Sequence, residues 1–423
     1  MNLRDSEFVT GLLLENGFKK ADSIDRADVI LFNSCSVRKH AEDRLFSNIA
    51  ALEKLKSKRP DVIIGLIGCT AQNYKDKAIE KAPLIDLVCG PGNEGDLPHL
   101  IKDIAKNRCP IIATNKIDEK RPEAFPKYRD GGFKAYVSIS EGCNNFCSYC
   151  IVPYVRGRER SRDAKNIIRE VKDLAARGFK EVTLLGQNVN SYCSESGKDF
   201  IRLLEDINKI KGIERIRFMT SHPKDASPEL FKAMRSLDKV CEHLHLPLQS
   251  GSDRVLKLMN RKYTRKKYLK LITDYKKLVP LGSLTTDIIV GFPSESERDF
   301  QDTIKAMKEI GFDGSFLFKY SARPPAKSAK LKDSIPKDVK EKRLKALLEL
   351  QAGISQRRND SAKGKVFEVL VDGASKKDTS MLTGRTRTNK IVVFNGGSEL
   401  VGRFVKVKID IATPYALKGR VVK

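Results

Sequence analysis

The stretch SEGCNNFCSYCIVPYVRGRERSR, residues 140–162, places three cysteines within eight residues and follows them with four arginines. Cys143, Cys147 and Cys150 have the spacing C-x3-C-x2-C, one ligand short of the four thiolates that close a structural zinc site or a cubane iron–sulfur site. The preceding AYVSIS (135–140) is typical of a strand. The sequence therefore predicts a metal centre with one open coordination position at the carboxyl end of a strand.

Downstream of this loop, strand-like and helix-like segments alternate. The further strand candidates are EVTLLG (181–186), RIRFMT (215–220), EHLHLPLQ (242–249), LTTDIIVGF (284–292) and GSFLFKYS (314–321). The helical segments between them include NIIREVKDLAARG, KDFIRLLEDINKI, YLKLITDYKKL and ERDFQDTIKAMKEIG. Six β/α repeats fall short of the eight of a closed barrel. We predict an open, partial barrel over residues 133–359, with its site at the carboxyl ends of the strands.

Upstream, residues 1–107 predict an α/β domain with a parallel sheet. ADVILFNSCS (27–36) and DVIIGLIGCT (61–70) have the composition of buried parallel strands, and a segment with helical periodicity separates them. Cys35 and Cys69 then occupy equivalent carboxyl ends, the edge where open α/β sheets place ligands. A single cysteine there is usually a small core residue, but two in matching positions favour metal ligands.

The remaining segments are a linker and a small β domain. Residues 108–132 are rich in proline, glycine and charge, which predicts a linker. Residues 360–423 alternate apolar and polar positions between glycine and aspartate turns, which predicts a small β-barrel. Its basic residues are Arg385, Arg387, Lys390, Arg403, Lys406 and Lys408. Small basic barrels commonly bind nucleic acid, although a solubilising β domain is the alternative.

Composition indicates the kind of partner and the cellular compartment to expect. The 423 residues carry 80 Lys and Arg against 54 Asp and Glu, a net charge of +26, which favours a polyanionic partner or, alternatively, solvated lysine-rich faces. The sequence contains no run of about 18 apolar residues and no secretory signal pattern, so we expect a cytoplasmic protein without a membrane role. Nine cysteines, an odd number without small-scaffold spacing, indicate thiols and metal ligands rather than disulfides.

Zinc is disfavoured at the three-cysteine loop, because the nearest downstream ligands, Cys193 and His222, belong to other β/α units. The loop instead resembles the radical S-adenosylmethionine (SAM) signature C-x3-C-x-aromatic-C, with Tyr149 as the aromatic residue. In that superfamily three cysteines hold a 4Fe-4S cluster whose fourth iron binds SAM, and the reduced cluster splits SAM to give a 5′-deoxyadenosyl radical. A partial six-fold β/α barrel is also that superfamily's fold.

Motifs along essentially the whole chain resemble the radical SAM methylthiotransferase family. They are NSCSVRKHAEDR (33–44), GLIGCTAQ (65–72), the three-cysteine loop, EVTLLGQNVNSY (181–192), TSHPKD (220–225), LHLPLQSGSDRVLKLMNRKYTR (244–265), TTDIIVGFPSE (285–295) and GRTRTNKIVVF (384–394). The resemblance implies a second iron–sulfur cluster in the amino-terminal domain and a TRAM domain that grips tRNA. It also implies SAM as both methyl donor and radical source, a reductant such as flavodoxin or ferredoxin, and a monomer.

Within the family, the chain most resembles the members that convert N6-isopentenyladenosine next to the tRNA anticodon to its 2-methylthio derivative. The alternatives are a methylthiotransferase for threonylcarbamoyl-adenosine tRNA, one for a ribosomal protein aspartate, and a non-catalytic iron–sulfur RNA-binding protein.

Three strand-end segments are candidates for binding SAM, although each is equally compatible with a tight turn. They contain Gly186, Gln187 and Asn188, then Gln249, Ser250 and Gly251, and finally VGFPSE (290–295). His243 and His245 alternate along one strand and predict polar packing in the barrel lumen rather than a metal site. The four arginines of the opening stretch, between 156 and 162, are expected to clamp a phosphate or carboxylate, with solvation as the alternative.

One family feature is absent from the printed sequence. The family's amino-terminal domain opens with a strand and a Gly-Cys-Gln-Met-Asn segment whose cysteine is the first of three ligands for the second cluster. Here Met1 and Asn2 lead directly into the helical LRDSEFVTGLLLENGF. Cys35 and Cys69 are then two ligands without a third, and Cys89 is a substitute without support. Either the native chain starts upstream of Met1 or this chain is a variant with a weakened or lost second cluster, and we favour the first. We expect the chain as printed to hold about four irons tightly rather than about eight and to methylthiolate tRNA poorly.

Overall fold

The computed structural model describes residues 1–36, 39–115 and 126–422. It contains an amino-terminal parallel sheet, a central open barrel and a carboxyl-terminal closed β-barrel, so the predicted α/β fold class is confirmed. Residues 116–125 of the predicted linker lie outside the described residues, as do Val37 and Arg38 of the predicted motif at 33–44. No helix in the described ranges is both long and apolar enough to cross a membrane.

The amino-terminal sheet has four parallel strands in the order β1-β2-β3-β4. Its elements are α1 (Asn2–Glu15), β1 (Val29–Asn33), α2 (Lys39–Ala50), α3 (Glu53–Lys58), β2 (Ile63–Ile67), α4 (Cys69–Tyr74), α5 (Lys77–Lys81), β3 (Leu87–Cys89), α6 (Leu97–Asn107) and β4 (Ile111–Ala113). Strand β2 is buried as predicted, whereas β1 is only half-buried because it forms the edge of the sheet.

Strand β4 corrects the predicted linker at 108–132, because its three residues pair with β3 and extend the amino-terminal sheet. A strand this short shows no sequence period, which is why composition alone suggested a linker there. Arg129, near the other end of the same segment, is buried and pairs with Glu7 of α1 and Glu170 of the central domain. The segment therefore contains packed residues near both described ends, in β4 and at Arg129, among residues that are exposed.

The central domain contains all six predicted barrel strands. Its elements are β5 (Lys134–Ser138), β6 (Ser140–Glu141), α7 (Val152–Val155), β7 (Arg160–Ser161), α8 (Ala164–Ala176), β8 (Glu181–Leu185), α9 (Phe200–Asn208), β9 (Arg215–Met219), α10 (Pro228–Ser236), β10 (His243–His245), α11 (Asp253–Leu258), α12 (Arg265–Leu278), β11 (Ser283–Val290), α13 (Glu297–Ile310), β12 (Gly314–Lys319) and α14 (Lys337–Asp360). The order β5-β8-β9 is parallel, as is β10-β11-β12, and a parallel bridge from Ile216 to Val240 joins the two halves. No pairing between β5 and β12 occurs in the described chain, so the barrel stays open.

Side chains alternate between the two faces of each strand. On β9, Ile216 and Phe218 belong to the apolar core beneath the helices, and Phe218 packs edge-on against Phe200 of α9. Arg215 and Arg217 therefore point the other way, into the barrel lumen. The same alternation places the polar face of β10 in the lumen, which makes the lumen a polar chamber with an apolar outer wall.

The carboxyl-terminal domain is a closed five-stranded barrel in the order β13-β14-β15-β17-β16. Its strands are β13 (Val366–Ala374), β14 (Leu382–Thr386), β15 (Ile391–Phe394), β16 (Phe404–Ala412) and β17 (Leu417–Val422). Residues 385–390, the end of β14 and the turn that leads to β15, are called the floor hairpin below and lie against the amino-terminal ends of the central strands. Arg215 donates to the carbonyl oxygen of Arg385 (2.8 Å), and Arg217 donates to those of Thr386 (2.7 Å) and Arg387 (2.8 Å).

The floor hairpin changes the interpretation of the barrel's basic residues. Arg387 pairs with Glu242 at 2.6 Å and Lys390 pairs with Asp313 at 2.9 Å, so these two cations dock the barrel onto the central domain. Arg403 and Lys406 are exposed and available to a polyanion. Only part of the predicted basic set therefore faces solvent.

Candidate functional site

The three-cysteine loop begins directly after β6, at the carboxyl end of the first barrel strand, as predicted. The short β6–β7 ladder closes the base of the loop by pairing Ser140 with Ser161 and Glu141 with Arg160. Gly142 has φ +75°, and a Cβ atom there would lie 2.1 Å from the carbonyl oxygen of Arg158, so this position requires glycine. The chain then turns through α7 and returns, so that the predicted arginine tail runs back along the base of the loop.

Residues 258–261, just after α11, hold the loop from the side. The Ser148 hydroxyl donates to the carbonyl oxygen of Leu258 at 2.8 Å, and the amide of Asn260 donates to that of Phe146 at 2.9 Å. Arg261 donates from Nη1 to Cys147 Sγ at 3.3 Å. The MNRKYT motif thus clamps the loop and supplies a cation to one of its sulfurs, a role that sequence reasoning did not assign to Arg261.

The three sulfurs form one electrostatic group. Burial, together with the nearby sulfurs of Cys147 and Cys143, raises the pKa of the Cys150 thiol to about 12. Burial also raises the pKa of Cys143, while the Asn145 amide donates to its Sγ at 3.4 Å. Buried thiols with N–H donors directed at their sulfurs fit an iron–sulfur cluster, because such hydrogen bonds are a regular feature of cluster thiolates.

A single metal ion does not fit this geometry. Among the residues that the structure describes, no three His, Cys, Asp or Glu side chains converge on one ion position. In a four-iron cluster each thiolate binds a different iron, so the sulfurs need not converge. The donor set of Cys143, Cys147 and Cys150 therefore suits a cluster better than zinc.

A polar cavity of about 380 Å³ opens beside the loop at the mouth of the barrel. It is lined by Asn144, Asn145, Glu159, Asn188, Ser191, Lys224 and Lys262. The Ser191 hydroxyl donates to Glu159, and burial raises the pKa of that carboxyl. The lining combines amides, one carboxyl group and two ammonium groups, which suits a zwitterionic or phosphate-bearing ligand.

Buried polar atoms with no protein partner cluster at the carboxyl ends of β5, β8 and β9. Within the described ranges these atoms are Ser140 Oγ, Gln187 Oε1, Asn188 Oδ1, Thr220 Oγ1, Ser221 Oγ and His222 Nε2. Burial lowers the pKa of His222 to about 2, so its ring is neutral. Because His222 Nδ1 accepts from the Lys224 amide, the ring proton lies on Nε2 as a buried donor. Buried polar groups normally have partners, and this cluster fits a polar cofactor such as SAM.

The predicted cofactor residues divide into two groups. Gly186, Gln187 and Asn188 follow β8 beside the orphaned atoms, and a Cβ on Gly186 would meet Ser140 Oγ at 2.4 Å. Ser250 and Gly251 instead face α13, where the Gly251 amide donates to Thr303 Oγ1 at 2.9 Å.

Gln249 pairs through its backbone with β11. Glu295, in the VGFPSE segment, is tied to Arg343 at 2.7 Å. That any of these residues contacts SAM stays a prediction. Gly186, Gln187 and Asn188 have the most suitable surroundings, because they lie beside the buried polar atoms that lack protein partners.

The lumen below the mouth contains the predicted histidine pair. His243 Nε2 and His245 Nδ1 both contact Thr285 Oγ1, at 2.9 and 3.0 Å, and His245 Nε2 lies 3.5 Å from Asp287. Both rings lie on one face of β10 as predicted, and their contacts are those of polar packing. Burial lowers the pKa of His243 to about 3, so this ring is neutral at physiological pH.

The two amino-terminal cysteines lie where the strand register predicts. Asn33 pairs with Ile67, so Cys35 and Cys69 both lie two residues beyond the end of the ladder. Cys69 is buried against Ile151, Tyr154 and Val155, the segment that directly follows the three-cysteine loop. The amino-terminal cysteine site therefore adjoins the central one.

Cys89 has a different position. It lies within β3 opposite Ile67, and it is buried in the apolar core with Val9 and Leu97. These surroundings are typical of a core thiol and give no support to Cys89 as a substitute ligand.

Two of the four predicted arginines do not face solvent. Arg162 is buried and pairs with Glu170 at 2.8 Å, and Arg156 is buried between the two cysteine sites. Their role as phosphate clamps is not supported, because each already has a protein carboxylate as partner. Arg158 is exposed and Arg160 is half-buried.

Comparison with known proteins places these features in a family. Residues 137–307 match the radical SAM superfamily, residues 1–90 match the uncharacterized protein family UPF0004, and residues 360–422 match the TRAM domain. Among solved structures, the radical SAM methyltransferase TsrM from Kitasatospora setae superposes with a TM-score of 0.55 at 14% identity, covering 75% of this chain and 70% of that one. The cobalamin-dependent radical SAM enzyme OxsB superposes with a TM-score of 0.51 at 13% identity, covering 83% and 54%. At these sequence identities, the two superpositions show a similar fold and nothing further.

Similarity to curated proteins extends over the full length. The tRNA-2-methylthio-N(6)-dimethylallyladenosine synthase of Moorella thermoacetica is 47% identical over 426 aligned positions, which cover 100% of this chain and 96% of that protein. The synthase of the same name from Clostridium novyi is 48% identical, with 100% and 94% covered. This chain therefore belongs to the tRNA-2-methylthio-N(6)-dimethylallyladenosine synthase family of radical SAM methylthiotransferases.

Proposed function

We propose that this chain adds a methylthio group to C2 of N6-dimethylallyladenosine, also called N6-isopentenyladenosine, in tRNA. Its full-length relatives carry this activity in their names. The structural observation that carries the proposal is the contact of Cys69 with Ile151 and Val155, which directly follow the three-cysteine loop. A reaction that needs both a radical source and a sulfur source requires two such sites facing one substrate.

The family's 4Fe-4S cluster and SAM supply, when bound and reduced, a 5′-deoxyadenosyl radical able to react at an unactivated C–H bond. Cys143, Cys147 and Cys150 would hold this cluster. Asn188 and His222 would hydrogen-bond SAM at the mouth of the barrel, where their buried polar atoms lack protein partners. The protein's own contribution is to bind, orient and shield these groups from water.

Cys35 and Cys69 would hold the second cluster at the carboxyl edge of the amino-terminal sheet. Their matching register and the contact of Cys69 with α7 support this assignment. The exposed cations Arg403 and Lys406 on the carboxyl-terminal barrel would contact tRNA phosphates, which position the RNA without performing chemistry.

We further propose that the enzyme works as a cytoplasmic monomer and receives electrons from a small redox protein such as flavodoxin or ferredoxin. The cluster must be reduced before it can cleave SAM, so the reaction needs an electron donor.

The experiment is mass spectrometry of tRNA nucleosides from cells that lack the gene and are complemented with variants of this chain. The native gene is expected to restore 2-methylthio-N6-isopentenyladenosine, and the same gene carrying Cys147→Ala is expected to restore none. Cys109→Ala is the matched control, because this exposed thiol lies in no motif. If the unmutated native gene leaves the tRNA nucleosides of the deletion cells unchanged, the proposed function is refuted. If 2-methylthio-threonylcarbamoyl-adenosine forms instead, the substrate is threonylcarbamoyl-adenosine tRNA.

A further inference from the structure

Glu159 brings a carboxyl group into the cavity at the mouth of the barrel without a cation bound to it. Its Oε1 accepts from the Ser191 hydroxyl, and the Asn144 backbone amide also stabilises its charged form. Although the chain carries 80 Lys and Arg, no cation among the described residues forms an ion pair with Glu159. Burial is the main cause that raises the pKa of this carboxyl group, so a further N–H donor would stabilise its charged form.

The other charged groups near the cavity are either committed or available. Asp225 accepts from the Asn188 amide at 2.7 Å and pairs with Lys224, so its carboxylate already has partners. Lys262 donates to Asn260 Oδ1 at 2.6 Å and has no carboxylate partner in the described ranges. The cavity therefore offers a ligand one carboxyl group as acceptor and one ammonium group for an anion.

The cavity has an exposed rim and a buried inner end. Asn144, Lys224 and Lys262 are exposed, whereas Asn188 is only 1% exposed and belongs to the buried polar atoms that suit SAM. If SAM occupies this inner end, Glu159 and the rim remain for a second ligand that arrives from solvent. Because Asn188 also lines the cavity, the two ligands would adjoin at this side chain.

A nucleotide of RNA has the groups that this rim can bind. Its phosphate is an anion for Lys262, and the edges of nucleobases carry N–H donors that a carboxylate accepts. A carboxylate has about four acceptor positions, so Ser191 and Asn144 leave capacity for one more donor. In N6-isopentenyladenosine the one N–H group of the base is the N6–H.

We propose that Glu159 is a specificity residue that accepts a hydrogen bond from the N6–H of the base to be modified, while Lys262 binds the adjoining phosphate. This inference rests on the proposed function, which makes N6-isopentenyladenosine in tRNA the substrate. C2, N1 and C6 are consecutive ring atoms, so a contact at N6 fixes the rotation of the ring and with it the position of C2. Guanine has a carbonyl oxygen in place of N6, and this oxygen would face the carboxylate as a second acceptor.

The test is a binding cycle between the Glu159 side chain and the N6–H group. The chain with its radical SAM cluster reconstituted, with SAM present and no reductant, is titrated with two anticodon stem–loop RNAs by fluorescence anisotropy. One RNA carries N6-isopentenyladenosine, and in the other a methyl group replaces the N6–H. The unmutated chain is expected to bind the first RNA about 10- to 150-fold more tightly, the range for a hydrogen bond to a charged group.

Three variants complete the cycle. Glu159→Ala is expected to bind the two RNAs with equal affinity. Glu159→Gln keeps the size of the side chain and a neutral acceptor, so an intermediate preference is expected. The matched control is Glu214→Ala, because this exposed acid directly precedes β9 at the opposite end of the barrel. It is expected to keep the full preference.

Each contrary outcome has a distinct meaning. A full preference in Glu159→Ala would overturn the inference and leave the proposed function standing. A full preference in Glu159→Gln would do the same, because crowding by the added methyl group would then explain it. Weaker SAM binding in Glu159→Ala by calorimetry, with an unchanged RNA preference, would assign the carboxyl group to the ribose of SAM. An unmutated chain that binds neither RNA better than one with uridine at that position would overturn the proposed function and this inference with it.

Discussion

Arg217 provides a quantitative test of how the carboxyl-terminal barrel is held in place. Its guanidinium is buried in the lumen and makes three hydrogen bonds: to Glu181 at 2.9 Å, to the Thr386 carbonyl at 2.7 Å and to the Arg387 carbonyl at 2.8 Å. Arg217→Ala removes the cation and leaves a buried carboxylate and two carbonyl groups without these donors. The floor hairpin should then open more readily.

The magnitude follows from the partners that remain. Three hydrogen bonds from a charged donor, at about 1.5–3 kcal/mol each, would sum to about 4.5–9 kcal/mol. That sum is too large, because Lys134 stays 3.8 Å from Glu181 and Arg215 still holds the Arg385 carbonyl. The cost of breaking one buried pair, about 3–5 kcal/mol, is the better figure. It corresponds to a roughly 150- to 5,000-fold increase in the opening equilibrium.

Hydrogen exchange read by mass spectrometry measures this opening directly. Amides of residues 385–390 are expected to exchange faster by that factor in Arg217→Ala, while the amides of the amino-terminal sheet are unaffected. Arg217→Lys keeps a charge near Glu181 but loses the planar fork, so an intermediate effect is expected. The matched control is Arg202→Ala, on the exposed face of α9. Unchanged exchange in Arg217→Ala, or equal acceleration in Arg202→Ala, would refute the docking argument.

Three further outcomes are expected. Cys147→Ala should abolish the visible absorption of the radical SAM cluster and 5′-deoxyadenosine formation while circular dichroism stays unchanged, and normal cleavage of SAM would contradict the assignment. Replacing Arg403 and Lys406 with Gln should weaken tRNA binding and reduce the slope of log affinity against log salt by about 1.4–1.8, with SAM cleavage in the absence of RNA retained; an unchanged slope would exclude these contacts. His243 has a folded-state pKa of about 3, lowered chiefly by burial and then by Arg217, so its stabilising contribution is complete above pH 6.5 and is lost as pH falls towards 3, by about 2 kcal/mol at pH 5. His243→Asn should remove that part of the difference between urea unfolding at pH 7 and pH 5, and an undiminished difference would exclude His243 as its source.

The positions of the six barrel strands were predictable because their apolar runs are local signals. Each strand begins and ends within a few residues of its predicted range, and the carboxyl ends of parallel strands meet at one edge. That geometry alone brings the three-cysteine loop and Asn188 to one mouth. The matching positions of Cys35 and Cys69 were predictable for the same reason, because each cysteine directly follows a strand whose end is visible in the sequence.

The partners of the arginines were not predictable in this way. Arg156 meets Asp5 across 151 positions, and Arg387 meets Glu242 across 145. No spacing rule connects residues so far apart, and a net charge of +26 makes solvated or phosphate-binding arginines the natural expectation. In a basic protein, the arginines and lysines that become buried are those that meet a carboxylate at a domain interface. These pairs are defined only by the packing of the domains against each other.

The closed floor of the lumen has a consequence for substrate delivery. The floor hairpin seals the amino-terminal ends of the barrel strands through Arg215 and Arg217, so a nucleobase reaches the lumen by way of the mouth or the open side between β5 and β12. If Arg403 and Lys406 hold the tRNA backbone as proposed, the rigid docking of the barrel fixes the distance from those phosphate contacts to the cysteine loop. Phosphate contacts carry no sequence information, but a fixed distance selects which nucleotide along the RNA arrives at the mouth. Docking by buried arginines would thus contribute to the choice of nucleoside, and a looser barrel in Arg217→Lys would be expected to lower the yield of methylthiolation more than the rate of SAM cleavage.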